Sequence, residues 1–93
     1  MIRSFGSKET ERLARRERVP ALDPRIQRTA LRKLRQIAAA ETLEDLRVPP
    51  GNRLESLRGD RAGQHSIRID DQWRICCTWT QAGPEEVEIV DYH

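Results

Sequence analysis

The spacing of apolar residues changes from a helical period to a period of two at Pro49-Pro50-Gly51, and this change constrains the fold most strongly. Before it, Asp23 and Pro24 form a strong helix start, with Asp at the N-cap and Pro at the first helical position. The pattern predicts an amphipathic helix from residue 24 to about residue 40. Its apolar face is formed by Ile26, Ala30, Leu34, Ile37 and Ala38.

After Pro49-Pro50-Gly51 the chain carries the alternation that is typical of β-strands with one buried face. The turn signals Asp70-Asp71 and Gly83-Pro84 separate the predicted strands from one another. The apolar positions of these strands are Ile67 and Ile69, then Trp73, Ile75, Cys77 and Trp79, and finally Val87, Ile89 and Val90.

Two shorter elements are predicted at the start of the chain. Residues 2–5 are a strand candidate, and Ser7 is the predicted N-cap of a helix that continues to Arg16. Helices followed by turn-connected strands predict an α+β fold, with the N-terminal strand and two helices packed on a twisted antiparallel sheet. The 93 residues suffice for one domain, residues 1–93, and chemistry is expected on the polar face of the sheet.

The two parts of the chain carry opposite net charge. Residues 1–40 contain 11 Lys and Arg against 4 Asp and Glu, whereas residues 41–93 contain 6 against 11. Of the 17 basic residues 15 are arginine, whose planar guanidinium suits bidentate phosphate contacts, so a polyanion is the favoured partner. The predicted long helix carries an arginine row that is either a solvated face or a contact for RNA phosphate or an acidic partner: Arg25, Arg28, Arg32 and Arg35.

Several classes of protein are disfavoured by what the sequence lacks. It has no apolar stretch of membrane-spanning length and no signal peptide, so we expect a cytoplasmic protein without membrane contact. Cys76 and Cys77 are adjacent, which favours strand and core roles over a loop-closing disulfide or a metal site. Phosphate-loop, nucleophile-elbow and zinc-protease signatures are absent, and no cofactor or metal is expected.

The strand half nevertheless holds a set of basic and titratable residues at turn edges and at outward strand positions. Arg74 stands out because it lies in the most apolar strand, where an unpaired charge is costly, and Asp91 or Glu55 is a candidate partner. Several of these side chains are expected to converge over one face of the sheet. The full set is Glu55, Arg58, Arg61, His65, Arg68, Arg74, Asp91, Tyr92 and His93.

Four blocks of the sequence resemble the HigB toxins, plasmid-maintenance killer proteins of the RelE/ParE superfamily. They are Ile-Arg-Ser-Phe at residues 2–5, the segment from Leu57 to Ile69, Gln-Trp-Arg-Ile at residues 72–75 and Val-Asp-Tyr-His at residues 90–93. The resemblance implies a microbial RNase-type fold and a toxin that cleaves mRNA on the translating ribosome. It also implies neutralisation by a helix-turn-helix antitoxin of the HigA type, with operator DNA contacted only through that antitoxin.

The resemblance also assigns catalytic positions. Arg58 stands where relatives carry a catalytic Lys or Arg, Arg74 matches the arginine of the Trp-Arg-Ile strand, and Asp91, Tyr92 and His93 match the terminal catalytic cluster. Glu55 departs from the histidine of some relatives, which leaves the identity of the general base open.

Metal-independent cleavage by the RNA's own 2′-hydroxyl needs a base, cations for the phosphorane-like charge and an acid for the leaving 5′-oxygen. The expected base is Glu55 or Asp91, and Arg58 and Arg74 would stabilise the phosphate charge. Tyr92 would stack on a base or orient the 2′-hydroxyl, and His93 would act as the acid. Further RNA contacts are predicted at Arg28, Arg32, Arg61, His65 and Arg68.

Two other functions remain open at this point. ParE toxins of the same superfamily inhibit DNA gyrase by binding it, so a non-enzymatic inhibitor of gyrase is the alternative. Because Glu55 replaces the histidine of some relatives, an RNA-binding module that no longer cleaves is a third hypothesis.

Overall fold

The computed structural model describes residues 1–91, and Tyr92 and His93 lie outside the described residues. Two α-helices precede the sheet, and three short 3₁₀ turns lie in the connections at Leu43–Arg47, Pro50–Asn52 and Gly59–Arg61. The predicted α+β fold is confirmed. The elements are α1 (Lys8–Ala14), α2 (Pro24–Ala39), β1 (Glu55–Ser56), β2 (His65–Arg68), β3 (Trp73–Thr80) and β4 (Gly83–Asp91).

Both helices begin at the predicted caps. The Oγ atom of Ser7 accepts a hydrogen bond from the Thr10 N–H at 3.2 Å, and Asp23 Oδ1 accepts one from the Arg25 N–H at 2.9 Å. These bonds satisfy backbone donors that have no partner within the helix. The helix α2 ends one residue before the predicted limit, whereas α1 ends two residues before Arg16.

The sheet is antiparallel throughout, with the strand order β1-β2-β3-β4. The prediction of a strand at residues 2–5 is wrong. This segment forms only an isolated parallel bridge between Phe5 and Val87. The reason lies in β4, where Glu86 has a left-handed backbone (φ 55°) and donates its N–H to Ser4 Oγ at 2.8 Å. A continuous ladder is therefore interrupted, although the segment still covers part of the outer edge of β4.

The core lies between α2 and one face of the sheet. Leu34 and Ile37 are 2% and 0% exposed, and they belong to the same apolar cluster as Ile75 of β3. Trp73 and Trp79 pack on this cluster while remaining partly exposed. The predicted helix face is confirmed, except that Ala38 is only half-buried. Within residues 1–91, no helix combines the length and apolar character needed to cross a membrane.

The prediction that β3 has only one buried face is wrong. Arg74 and Cys76 point away from the helices, yet they are 8% and 0% exposed. They have neighbours on this second face, because Arg74 contacts Ser66 and the backbone at Arg53, and the paired charges of Arg61 and Glu88 lie near Cys76. This second face, defined here as the polar face, holds the candidate site.

Candidate active site

The polar face is built from residues that the antiparallel register places side by side. Glu55 of β1 pairs with Ser66 of β2, Ser66 with Cys76 of β3, and Cys76 with Glu88 of β4. One row of side chains thus crosses all four strands. Because directly paired residues project from the same face, these four side chains share the polar face.

Arg74 is the fixed cation of this face. Arg74 lies two residues before Cys76 on β3, so it shares the polar face, and its partner on β2 is Arg68. The Arg74 Nε atom donates to Ser66 Oγ at 2.7 Å, and its Nη2 atom donates to the carbonyl oxygens of Arg53 at 2.6 Å and Ser66 at 3.3 Å. These oxygens compensate part of the hydration that the guanidinium loses on burial and hold it in one orientation.

Arg61 is the second cation of the polar face and lies beside Glu88 of β4. Arg61 Nη1 donates to Gln64 Oε1 at 3.1 Å and is 3.4 Å from Glu88 Oε1. Its side chain is 37% exposed, so the ion pair is accessible to a ligand and weakened by solvent. Arg68 forms a further ion pair with Asp71 at the edge of the same face.

The Cys76 thiol lies beneath these charges and stays protonated. Burial raises the pKa of Cys76, and the positive charges of Arg61 and Arg74 counteract that effect only in part. Burial likewise raises the pKa of Cys77, on the core side, to about 11. Neither thiol has the thiolate character that nucleophilic or metal-binding cysteines require.

An open cleft at the β1 edge brings Glu55 and Arg58 together. Residues 55–58 line it, and both charged side chains are exposed. Gly59 follows Arg58 with φ +66°, a conformation that favours glycine and turns the chain into the Gly59–Arg61 turn. The cleft therefore places a carboxylate and a guanidinium at the border of the polar face.

Not every predicted residue joins this face. His65 pairs with Cys77, a core residue, so its side chain lies on the helix side of the sheet and does not converge with the arginines. Asp91 pairs with Trp73, one position out of phase with Arg74, so the register places it on the opposite side from Arg74 and Glu55. Gln72 Nε2 donates to Asp91 Oδ2 at 3.0 Å. Tyr92 and His93 fall beyond the described residues.

The predicted RNA contacts on α2 form a separate surface. Arg28 and Arg32 are exposed on the side of α2 that faces away from the sheet, whereas Arg61 and Arg68 lie on the polar face. Arg25 of the same row is held by Asp23 at 2.8 Å. Sequence reasoning missed Ser66 as a ligand of Arg74, although its alternation with Ile67 is the signal that would have found it.

Residues 1–91 contain no group of three His, Cys, Asp or Glu side chains arranged to hold a metal ion. The described part of the polar face offers arginines and carboxylates to a substrate. Fixed guanidinium groups beside an exposed carboxylate are suited to binding a phosphodiester and moving a proton nearby.

Comparisons with known proteins identify the family of this chain. Residues 3–93 match the family of HigB-like toxins, described as RelE-like toxins of the type II toxin-antitoxin system HigB. The chain is also similar to toxin HigB-1 of Vibrio cholerae serotype O1, with 44% identity over 54 residues. That alignment covers 58% of this chain and 57% of the relative. The chain belongs to the HigB-like family of RelE-like toxins of type II toxin-antitoxin systems.

Proposed function

We propose that this toxin is a metal-independent endoribonuclease that cleaves mRNA on the ribosome and that a HigA-type antitoxin neutralises it. The observation that carries the proposal is the polar face: a buried, oriented Arg74 lies on the same face as Glu55, and Arg58 borders it. The resemblance of the whole chain to HigB toxins supports the same reaction. Its site of action would be the cytoplasm, where ribosomes translate mRNA.

In the proposed reaction Glu55 removes the proton of a 2′-hydroxyl, whose oxygen then attacks the adjacent phosphorus. Arg58 and Arg74 stabilise the negative charge that accumulates on the non-bridging oxygens. The 5′-oxygen leaves with a proton from His93, and the product is a 2′,3′-cyclic phosphate. Tyr92 stacks on a base, and the ribosome supplies the mRNA positioning that such a small protein lacks.

The proposal is tested with purified ribosomes programmed with a defined mRNA. We expect cuts within the mRNA, mapped by their 5′ ends, and a 2′,3′-cyclic phosphate on the upstream fragment. Toxin that was treated with a chelator and then desalted should cut equally well. The chelator is removed before the assay because the ribosome itself requires Mg²⁺. Absence of cuts, together with inhibition of gyrase supercoiling, would instead support the ParE-like alternative.

Glu55→Gln should nearly abolish cleavage if Glu55 is the base, because an amide cannot accept the proton. Glu55 is exposed, so the fold should be unaffected. Asp91→Asn is the matched control: it makes the same change at an exposed carboxylate whose register places it on the other face. Normal cleavage by Glu55→Gln and loss of cleavage by Asp91→Asn would transfer the role of base to the terminal cluster.

We further propose that the arginine row of α2 contacts ribosomal RNA. Within residues 1–91, the exposed side chains of Arg28 and Arg32 form no ion pair with a carboxylate, so both charges are available to phosphate. The double variant Arg28→Glu/Arg32→Glu should bind ribosomes more weakly and with a shallower salt dependence, since phosphate contacts release counterions.

The control for the arginine row carries the same charge change elsewhere, as Arg16→Glu/Arg18→Glu in the exposed segment after α1. Equal weakening by both double variants would indicate a general charge effect. If the α2 variant loses affinity for the antitoxin and binds ribosomes normally, the row is an antitoxin contact. If neither association changes, it is a solvated face.

A further inference from the structure

The helix α2 contains one buried charged residue, Lys33. Lys33 is 6% exposed, and its Nζ atom donates a hydrogen bond to Asn52 Oδ1. Burial lowers the pKa of Lys33, and the neighbouring charge of Arg32 lowers it further. The folded state therefore disfavours the ammonium form relative to the unfolded chain, so at neutral pH this charge opposes folding rather than supporting it.

Asn52 connects that lysine to the chain between α2 and the sheet. It is 0% exposed, and its Nδ2 atom donates to Gln36 Oε1 at 3.2 Å and to the carbonyl oxygens of Leu46 at 3.1 Å and Val48 at 3.4 Å. One amide thus joins α2 to the Leu43–Arg47 turn and to the end of the Pro50–Asn52 turn. Because four hydrogen bonds hold its side-chain amide, Asn52 has little freedom to move.

The next residues belong to the candidate site. Arg53 follows Asn52 in a left-handed conformation (φ 46°), and its carbonyl oxygen accepts the 2.6 Å hydrogen bond from Arg74 Nη2. Glu55 begins β1 two residues later. The strand β1 has only two paired residues, and such a short ladder fixes its own position weakly.

We propose that Lys33 and Asn52 are positioning residues for the active site. They anchor the chain immediately before Arg53, and thereby fix the carbonyl that orients Arg74 and the point at which Glu55 enters the sheet. This inference depends on the proposed ribonuclease function for its consequence in activity. Its structural part, the orientation of Arg74, is measurable without any activity.

Lys33→Met tests the proposal because it removes the Nζ donor and retains an unbranched side chain. Its thermal unfolding should stay close to that of the wild type, since the lost hydrogen bond is offset by the removal of a buried charge. The maximal cleavage rate on programmed ribosomes should fall about 10- to 100-fold, with the half-saturating ribosome concentration unchanged, because a misplaced catalytic group slows chemistry more than binding.

The second measurement follows the Arg74 Nε–H group by NMR. We expect this group to exchange its hydrogen slowly, because it donates a buried hydrogen bond to Ser66 Oγ. In Lys33→Met this signal should shift and exchange faster. Ile26→Val is the control, as it makes a mild change in the core of the same helix. It should leave both the Arg74 signal and the cleavage rate unchanged.

Three outcomes would overturn the proposal: an unchanged Arg74 signal, cleavage by Lys33→Met at the wild-type rate, or equal losses in Lys33→Met and Ile26→Val. If Lys33→Met does not fold, Lys33→Gln is measured instead, because it removes the charge and its terminal nitrogen is one bond nearer the backbone than that of lysine. If wild-type protein does not cleave mRNA, the proposed function fails, whereas the Arg74 signal still decides whether Lys33 and Asn52 orient the site.

Discussion

Replacement of Arg58 by alanine is expected to lower the maximal rate of mRNA cleavage by about 10²- to 10³-fold, the loss typical of removing one transition-state donor. Arg58 is exposed beside the cleft at the β1 edge, so its charge is available to a bound phosphodiester. Cleavage adds negative charge to the phosphate, and the guanidinium should therefore stabilise the transition state more than bound mRNA. Separate measurements of single-turnover cleavage and of ribosome binding distinguish stabilisation of the transition state from stabilisation of bound mRNA.

Arg18→Ala is the matched control, because Arg18 is also an exposed arginine in a connection, between α1 and α2. It should cleave at the wild-type rate. Arg58→Ala should retain the wild-type unfolding temperature, since no ion pair of Arg58 with a carboxylate exists among residues 1–91. A loss of ribosome affinity equal to the loss of rate would show that Arg58 binds mRNA without selective stabilisation of the transition state.

The second large effect is on stability. Leu34→Ala should lower the free energy of unfolding by about 2–5 kcal/mol, because it leaves a cavity at the centre of the core. Leu34 is 2% exposed and belongs to the cluster that joins α2 to the sheet. In a domain of this size each kcal/mol corresponds to about 4–8 °C in unfolding temperature, so calorimetry would detect the change easily.

Leu31→Ala removes the same atoms from a half-buried position on the same helix, and it should have a clearly smaller effect. This pair of variants separates burial from helix propensity, since the substitution is identical in both. Equal destabilisation by the two variants would mean that the loss arises from the helix itself, and the assignment of Leu34 to the centre of the core would be wrong.

The sequence by itself determined the elements whose causes are local. Asp23-Pro24 set the start of α2, and the spacing of Ile26, Leu34 and Ile37 set the face that it buries. Period-two alternation likewise identified β3 and β4. These features were predictable because caps, turns and amphipathic periods depend on neighbours within a few residues.

The motifs also identified most of the residues of the polar face, but their grouping required the register. A shift of one residue moves a side chain to the other face, and no local rule fixed which side of the sheet His65 and Asp91 would occupy. The pairing of Glu55 with Ser66, which places a carboxylate on the face of Arg74, was equally unpredictable from the local sequence.

Only the tertiary structure decided how Arg74 is held. Its partners include a backbone carbonyl 21 residues away, and a carbonyl oxygen carries no sequence signal because every residue has one. The contact between Lys33 and Asn52 joins positions 19 residues apart, and neither side chain is of a type usually buried. Such contacts depend on the path of the chain through space, which local sequence preferences do not encode.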